Sequence, residues 1–319
     1  MEFRLIDRIR AHTAQQRDDV KLGIGDDAAV LAVPAGQELV VAIDTMVEGV
    51  HFPRGTSPED IGWKALAVNL SDLAAMGATP AWALLALTMP RNDAAVTADF
   101  VDGLATGFFE LAQSWRLALV GGDTTSGPLC LSVAVHGFVP PGQALTRSGA
   151  RAGDIVLVTG TLGDAAAGLH LLQRGEHEAA LIGRLNRPTP RLSAGLALRG
   201  QASACLDVSD GLIADLGHVA EASGLGAHID AGLLPLSPSM LAMFDDEQAR
   251  MFALTGGDDY ELCFTVPANR VADVQADLAR IGCGATRIGR MVEGAGVQVL
   301  DANGEPMAIS RKGWDHFAA

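Results

Sequence analysis

The chain has 319 residues, of which 49% are hydrophobic, and a formal net charge of −15, so it can bury a substantial core and divides most naturally into two domains. The charge disfavours nonspecific binding to nucleic acid or to an anionic membrane, because neither polyanion gains counterion release from an acidic surface. A phosphate substrate, if there is one, would have to arrive with its metal.

The four cysteines, Cys130, Cys205, Cys263 and Cys283, lie far apart with no Cys-x-x-Cys pair, and read as small core residues. Residues 1–7 are charged where a signal peptide would be apolar, and no run approaches the roughly 18 apolar residues of a spanning helix. The expected location is the cytoplasm.

Phe3, Ile6 and Ile9 stand at near-helical spacing and predict a short amphipathic helix over residues 2–10. The loop Gly23-Ile24-Gly25-Asp26-Asp27 follows, then two strands over 28–33 and 38–43, with Asp44 at the end of the second. Ser57 as cap and Pro58 at the first position open a helix that runs to about Met76 and stops at Gly77. On it Asn69 and Asp72 share a face with Ala65 and Met76, opposite Leu66, Leu70 and Leu73. Residues 80–89 predict a strand, 96–115 a helix, 117–120 a buried strand ending at Gly121-Gly122-Asp123, and 129–139 a half-buried strand by its alternation.

The Pro- and Gly-rich stretch 140–154 is the expected boundary, giving domains 1–145 and 146–319. In the second, a strand over 155–158 meets the Gly-rich turn Thr159-Gly160-Thr161-Leu162-Gly163-Asp164 and a helix over 165–172. The glycine order fits neither common phosphate-loop pattern, so the turn reads as a tight strand-to-helix connection. Helices over 191–200, 211–223 and 270–281, a strand near 227–230 and a strand entered from Gly256-Gly257-Asp258-Asp259 complete the expectation. The class is α+β, with helices on one face of the N-terminal sheet and an α/β C-terminal domain.

Acidic stretches beside Gly, Ser, Thr or Asn recur at Asp26-Asp27, Asp44, Asp72, Asp123, Asp207-Val208-Ser209-Asp210 and Asp258-Asp259. Adjacent carboxylates repel unless something positive sits between them, and a hard divalent cation takes oxygen ligands. Each stretch alone also reads as a solvated turn. Together they have the appearance of carboxylates converging on a multi-metal phosphate site.

These stretches, with Val50-His51-Phe52, Leu145-Thr146-Arg147-Ser148 and Gly313-Trp314-Asp315-His316-Phe317, closely resemble the thiamine-monophosphate kinase family. Its superfamily also holds aminoimidazole ribonucleotide synthetase and selenophosphate synthetase. The resemblance implies ATP-dependent phosphorylation of thiamine monophosphate to thiamine diphosphate, in a homodimer whose N-terminal sheets pair. It implies Asp27, Asp44, Asp72, Asp123, Asp207 and Asp210 as Mg²⁺ ligands, and Gly122, Asp123, Arg147 and Ser209 around ATP. His51, Asp258 and Trp314 would meet the thiamine end, with Arg147 and Asp123 closest to the chemistry. Two departures stand out: Ala42 and Ile43 replace the family's usual hydroxyl residues before Asp44, and Asp258 stands where Glu is common.

On the residues themselves, Arg147 reads as a phosphate cation or a solvated linker residue, and His51 as substrate ligand, base or loop holder. Trp314 reads as a stacking platform for a cationic ring or as a packing plug. One rival is another ATP enzyme of the superfamily, although no cysteine precedes Cys130 to serve selenophosphate synthesis. The other is a Ca²⁺-stabilised binding protein, which leaves Gly121-Gly122-Asp123 and Arg147 unexplained.

Overall fold

The computed structural model describes residues 8–12, 17–91, 98–309 and 311–314. It divides into two compact units, one formed by 1–73 with 78–142 and the other by 74–77 with 143–319.

The first unit is built on a four-stranded sheet. Strands β1 (Val20–Leu22) and β2 (Val30–Leu31) form a separate antiparallel hairpin, and β3 (Glu38–Val47), β4 (Thr79–Met89), β5 (Ala118–Ser126) and β6 (Cys130–Val139) form the sheet in the order β3-β6-β4-β5. Only the β4–β5 pair is parallel. Helices α1 (Pro58–Ala75) and α2 (Ala98–Ser114) complete the unit. The Ser57 hydroxyl accepts the Asp60 N–H at 3.2 Å, the cap expected from Ser-Pro. The helix ends as Gly77 turns left-handed at φ 64° and the Ala78 N–H reaches back to the Leu73 carbonyl at 2.7 Å.

Three expectations are corrected. The strand carrying Asp44 continues to Val47, so Asp44 lies within it rather than at its end. The strand that was to stop before Gly121 runs through Gly121-Gly122-Asp123 to Ser126. Glycine at 122 is what permits this, since a Cβ there would stand 1.9 Å from the Leu85 carbonyl oxygen of the neighbouring strand. The first expected strand shrinks to Val30–Leu31. The expected opening helix lies mostly outside the described residues; residues 8–11 are helical.

The second unit holds β7 (Ile155–Thr159), β8 (Ala204–Asp207), β9 (Gly226–Asp230), β10 (Leu262–Val266), β11 (Ala285–Val292) and β12 (Gly296–Leu300). They form one sheet ordered β12-β9-β11-β7-β10-β8, antiparallel except for β12–β9. Its helices are α3 (Asp164–Gln173), α4 (Ala179–Asn186), α5 (Leu192–Leu198), α6 (Leu212–Ser223), α7 (Pro238–Met243), α8 (Asp246–Thr255) and α9 (Val271–Arg280). The core packs Leu212, Ile213, Leu216, Val219 and Ala220 of α6 against Val156 and Val158 of β7 and Leu206 of β8.

A polar cluster crosses this core. Glu261 is fully buried, accepts from Arg184 at 2.7 Å, from Arg191 Nε at 2.6 Å and from the Thr159 hydroxyl at 2.6 Å, and lies where a Cβ on Gly160 would stand. Buried Asp259 accepts the Gly163 N–H on both carboxylate oxygens. The Gly-rich turn is therefore closed by the protein's own carboxylate, in keeping with a tight connection.

In the first unit α1 and α2 cross at glycines: a Cβ on Gly62 would stand 1.9 Å from the Leu104 carbonyl oxygen, and one on Gly107 1.8 Å from that of Glu59. In an open helix Gly→Ala would gain about 1 kcal/mol from propensity. Here the neighbour is backbone, which cannot swing away, so Gly107→Ala should destabilise by about 1–3 kcal/mol through overpacking. A urea midpoint equal to or above wild type would show that the helices do not rely on this contact.

Candidate active site

In the first unit the acidic residues occupy separate places on one frame. Asp44 is exposed on β3, and its N–H donates to the Asn69 side-chain oxygen at 2.9 Å. The Asn69 amide is buried and donates in turn to the Ala65 carbonyl at 2.9 Å, so α1 and β3 are joined at this point. Asp72 is half-buried one helical turn beyond Asn69, so the fold brings Asp44, Asn69 and Asp72 to one region.

Asp123 is exposed on β5. Across the sheet Asp44 pairs with Val133, Val133 with Leu85 and Leu85 with Gly122. Asp44 and Asp123 therefore belong to opposite edge strands, three inter-strand spacings or roughly 14 Å apart. At that spacing a single ion does not bridge Asp44 and Asp123 within this unit, which is compatible with six carboxylates serving several ions rather than one closed cage.

Asp27 is exposed in the β1–β2 hairpin loop, where its N–H closes a turn on the Asp26 side chain at 2.9 Å. The hairpin packs Val20, Ala29 and Leu31 on Trp82 and Phe138, and Trp82 Nε1 donates to Asp19 at 3.1 Å. Arg17 holds the Asp19 carboxyl below its ordinary range, with the Trp82 bond adding to the effect. His51 lies in the loop after β3, and its Nδ1 accepts the Val47 N–H at 3.0 Å. That bond ties the ring to the loop backbone.

The second unit gathers most of its expected residues. β8 ends at buried Asp207, and the turn Val208-Ser209-Asp210-Gly211 leads into α6. The Ser209 carbonyl accepts the Asp258 N–H at 2.8 Å, the Val208 carbonyl the Tyr260 N–H at 2.8 Å, and the Asp210 carbonyl the Trp314 N–H at 2.8 Å. Asp258 and Trp314 are thereby tied to the Asp207–Asp210 turn. Arg147 is exposed in a loop pinned beside β8, where the Thr146 carbonyl accepts the Cys205 N–H at 2.9 Å. Trp314 is 48% exposed, with the Arg311 guanidinium 5.3 Å from its ring centre, which is not the packing of a core plug.

Sequence reasoning missed Asp215. It is buried in the first turn of α6, and one carboxylate oxygen accepts the N–H groups of Ser209, Asp210 and Gly211, each at 3.0 Å. Burial pushes its carboxyl up to about 7, Asp207 and Asp210 add to the rise, and the N–H bonds of the turn oppose it. The available signal was a carboxylate one turn into the apolar helix start Leu212-Ile213.

Among the described residues no three His, Cys, Asp or Glu side chains stand together as a metal-holding group. The donors are nevertheless all carboxylate oxygens, in ones and twos. That set suits Mg²⁺, which takes one or two carboxylates and completes its shell with water and substrate phosphates.

The AIR synthase related protein N-terminal domain matches residues 25–139 and its C-terminal domain residues 151–302. The thiamine-monophosphate kinase of Escherichia coli (strain K12) is 49% identical over 323 residues, covering 99% of this chain and 98% of that protein. The crystal structure of thiamine-monophosphate kinase from Stenotrophomonas maltophilia K279a is 51% identical with a TM-score of 0.87, covering 95% of this chain and 96% of that one. AaThiL complexed with AMPPCP and TMP is 35% identical with a TM-score of 0.79, covering 99% and 97%. The chain belongs to the thiamine-monophosphate kinase family, within the AIR synthase related proteins.

Proposed function

We propose that this chain phosphorylates thiamine monophosphate at the expense of ATP, giving thiamine diphosphate and ADP. The observation that carries the reading is the acidic turn Asp207–Asp210, tied by main-chain bonds to both Asp258 and Trp314. It sets two carboxylates suited to a phosphate-bound cation beside two residues suited to a cationic ring. The match over nearly the whole chain to kinases of that name, and to a structure holding AMPPCP and TMP, supports it.

The reaction joins two anions, so its barrier is electrostatic. Asp27, Asp44, Asp72, Asp123, Asp207 and Asp210 are the residues that would hold Mg²⁺, which when bound supplies charge neutralisation and orientation of phosphate oxygens. Arg147 offers a planar pair of donors to a transferring phosphoryl group. Gly122 allows close backbone approach, and the Ser209 hydroxyl is the nucleotide contact in its turn. Trp314 stacks on the cationic ring, and the Asp258 carboxylate, held at one oxygen by the Tyr260 hydroxyl at 3.0 Å, meets its polar edge. His51, whose ring is oriented by the Val47 N–H, hydrogen-bonds substrate.

A phosphate monoester loses its second proton near pH 6, so the acceptor is already an anion at neutral pH and needs no base. ATP as co-substrate and four free cysteines favour the cytoplasm. A homodimer is supported by β3, an edge strand that exposes Leu39, Val41 and Ile43 at 44, 56 and 65%. A second copy covering that face is the occupant that a row of alternating apolar residues fits.

The primary test is ADP release with and without thiamine monophosphate, run on wild type and Asp72→Asn. Wild type should turn over only with both substrates, and Asp72→Asn should nearly abolish turnover with an unchanged far-UV spectrum. Retention of more than about a tenth of the activity, a loss under about 1.4 kcal/mol, removes Asp72 from the site.

For His51→Asn, measured at thiamine monophosphate well above its apparent KM, direct transfer predicts a raised KM with most of kcat kept. A fall in kcat of about 100-fold or more would assign His51 as a general base.

Light scattering should give twice the 33.1 kDa chain mass, and Val41→Glu should shift it to the single mass. A monomeric wild type at micromolar concentration rejects the dimer.

A further inference from the structure

We propose that Asp215 is a positioning residue that makes the 207–211 turn a cation-facing rather than a phosphate-facing element. The inference deepens the magnesium reading above and rests on it.

Three successive N–H groups ahead of a helix N-terminus are the arrangement in which proteins commonly cradle phosphate. Here that cradle is filled from within. One Asp215 oxygen takes the N–H groups of Ser209, Asp210 and Gly211 at 3.0 Å each. The other main-chain groups of the turn are also engaged. The Val208 N–H donates to the Glu261 carbonyl, and the Val208, Ser209 and Asp210 carbonyls accept from Tyr260, Asp258 and Trp314. The Gly211 carbonyl accepts the Asp215 N–H at 2.9 Å. Every main-chain donor and acceptor from Val208 to Gly211 thus has a partner inside the protein.

Two consequences follow for ligands. An incoming phosphate finds no backbone donor in this turn, so recognition falls to the Asp207 and Asp210 carboxylates and the Ser209 hydroxyl, and two of those three favour a cation. The turn also keeps its shape without a ligand, because the buried carboxylate of Asp215 holds the backbone from the core side. An ordinary helix cap would account for one of the three N–H bonds; it does not account for a single oxygen serving three consecutive residues that flank two candidate ligands.

The test compares full-length wild type, Asp215→Ala and Asp215→Asn by amide hydrogen exchange and by Mn²⁺ binding followed by electron paramagnetic resonance, without nucleotide. In Asp215→Ala the amides of 209–211 should lose protection while the sheet amides keep theirs, and Mn²⁺ should bind about 10- to 100-fold more weakly, the usual effect of losing an outer-shell partner. Asp215→Asn retains an uncharged acceptor and should fall between the two. A folded Asp215→Ala with wild-type protection of these amides, or with wild-type Mn²⁺ affinity, overturns the proposal. If the alanine variant does not fold, wild-type exchange and affinity in Asp215→Asn overturn it instead. Failure of wild type to bind Mn²⁺ at all would reject the magnesium reading itself, a result separable from the exchange of the three amides.

Discussion

An acidic turn stays folded only if its backbone is held more firmly than its side chains repel one another, and Asp215 supplies that hold in the second unit. Its oxygen gathers three N–H groups while Asp258, Tyr260 and Trp314 close the opposite side. The local cost is electrostatic: burial beside Asp207 and Asp210 disfavours a third charge, and the Asp215 carboxyl is pushed up accordingly. The N–H bonds favour the ionised form and work against that push. The backbone of the turn therefore holds Asp207 and Asp210 in a fixed geometry, the kind of preorganisation that phosphoryl transfer asks of its frame.

The first unit solves the same problem differently. Its carboxylates avoid mutual repulsion by standing apart, Asp44 and Asp123 on opposite edge strands and Asp27 on a hairpin loop. Asp44 and Asp72 are drawn to one region through the neutral amide of Asn69, which bonds the Asp44 N–H and the Ala65 carbonyl together. An amide suits this place better than a carboxylate, because it has to donate and accept at once.

How much of this the amino-acid order reveals depends on the range of the interaction. The Ser57 cap, the Gly77 stop and the alternation of 129–139 are local and readable, and each is present. So is the order of acidic stretches that marks the family. The continuation of β5 through Gly121-Gly122 was not readable, because it depends on how closely Leu85 of a separate strand approaches. Nor was the separation of Asp44 from Asp123, since strand order is a property of the whole sheet. Glu261 gives no local sign of its role either: its partners lie at Thr159, Arg184 and Arg191. The caps of α7 and α8, Ser237 and Asp245, are local signals of the same kind as Ser57.

Strain in the 256–261 segment follows from the same constraint. Asp258 and Tyr260 adopt φ of 68° and 50°, a left-handed backbone that side chains rarely take and that costs about 1–3 kcal/mol per residue. Glycine would relieve it at either place, but each side chain has a task. Asp258 carries the carboxylate, and the Tyr260 hydroxyl holds it at 3.0 Å. The strain is tolerated because the segment is anchored at several points: Asp258 and Tyr260 donate to the 208–209 carbonyls, Asp259 caps Gly163, and Glu261 is buried between two arginines. A carboxylate held in a sparsely populated conformation by so many bonds cannot relax toward solvent, so its position relative to the Asp207–Asp210 turn is set by the fold and not by the ligand.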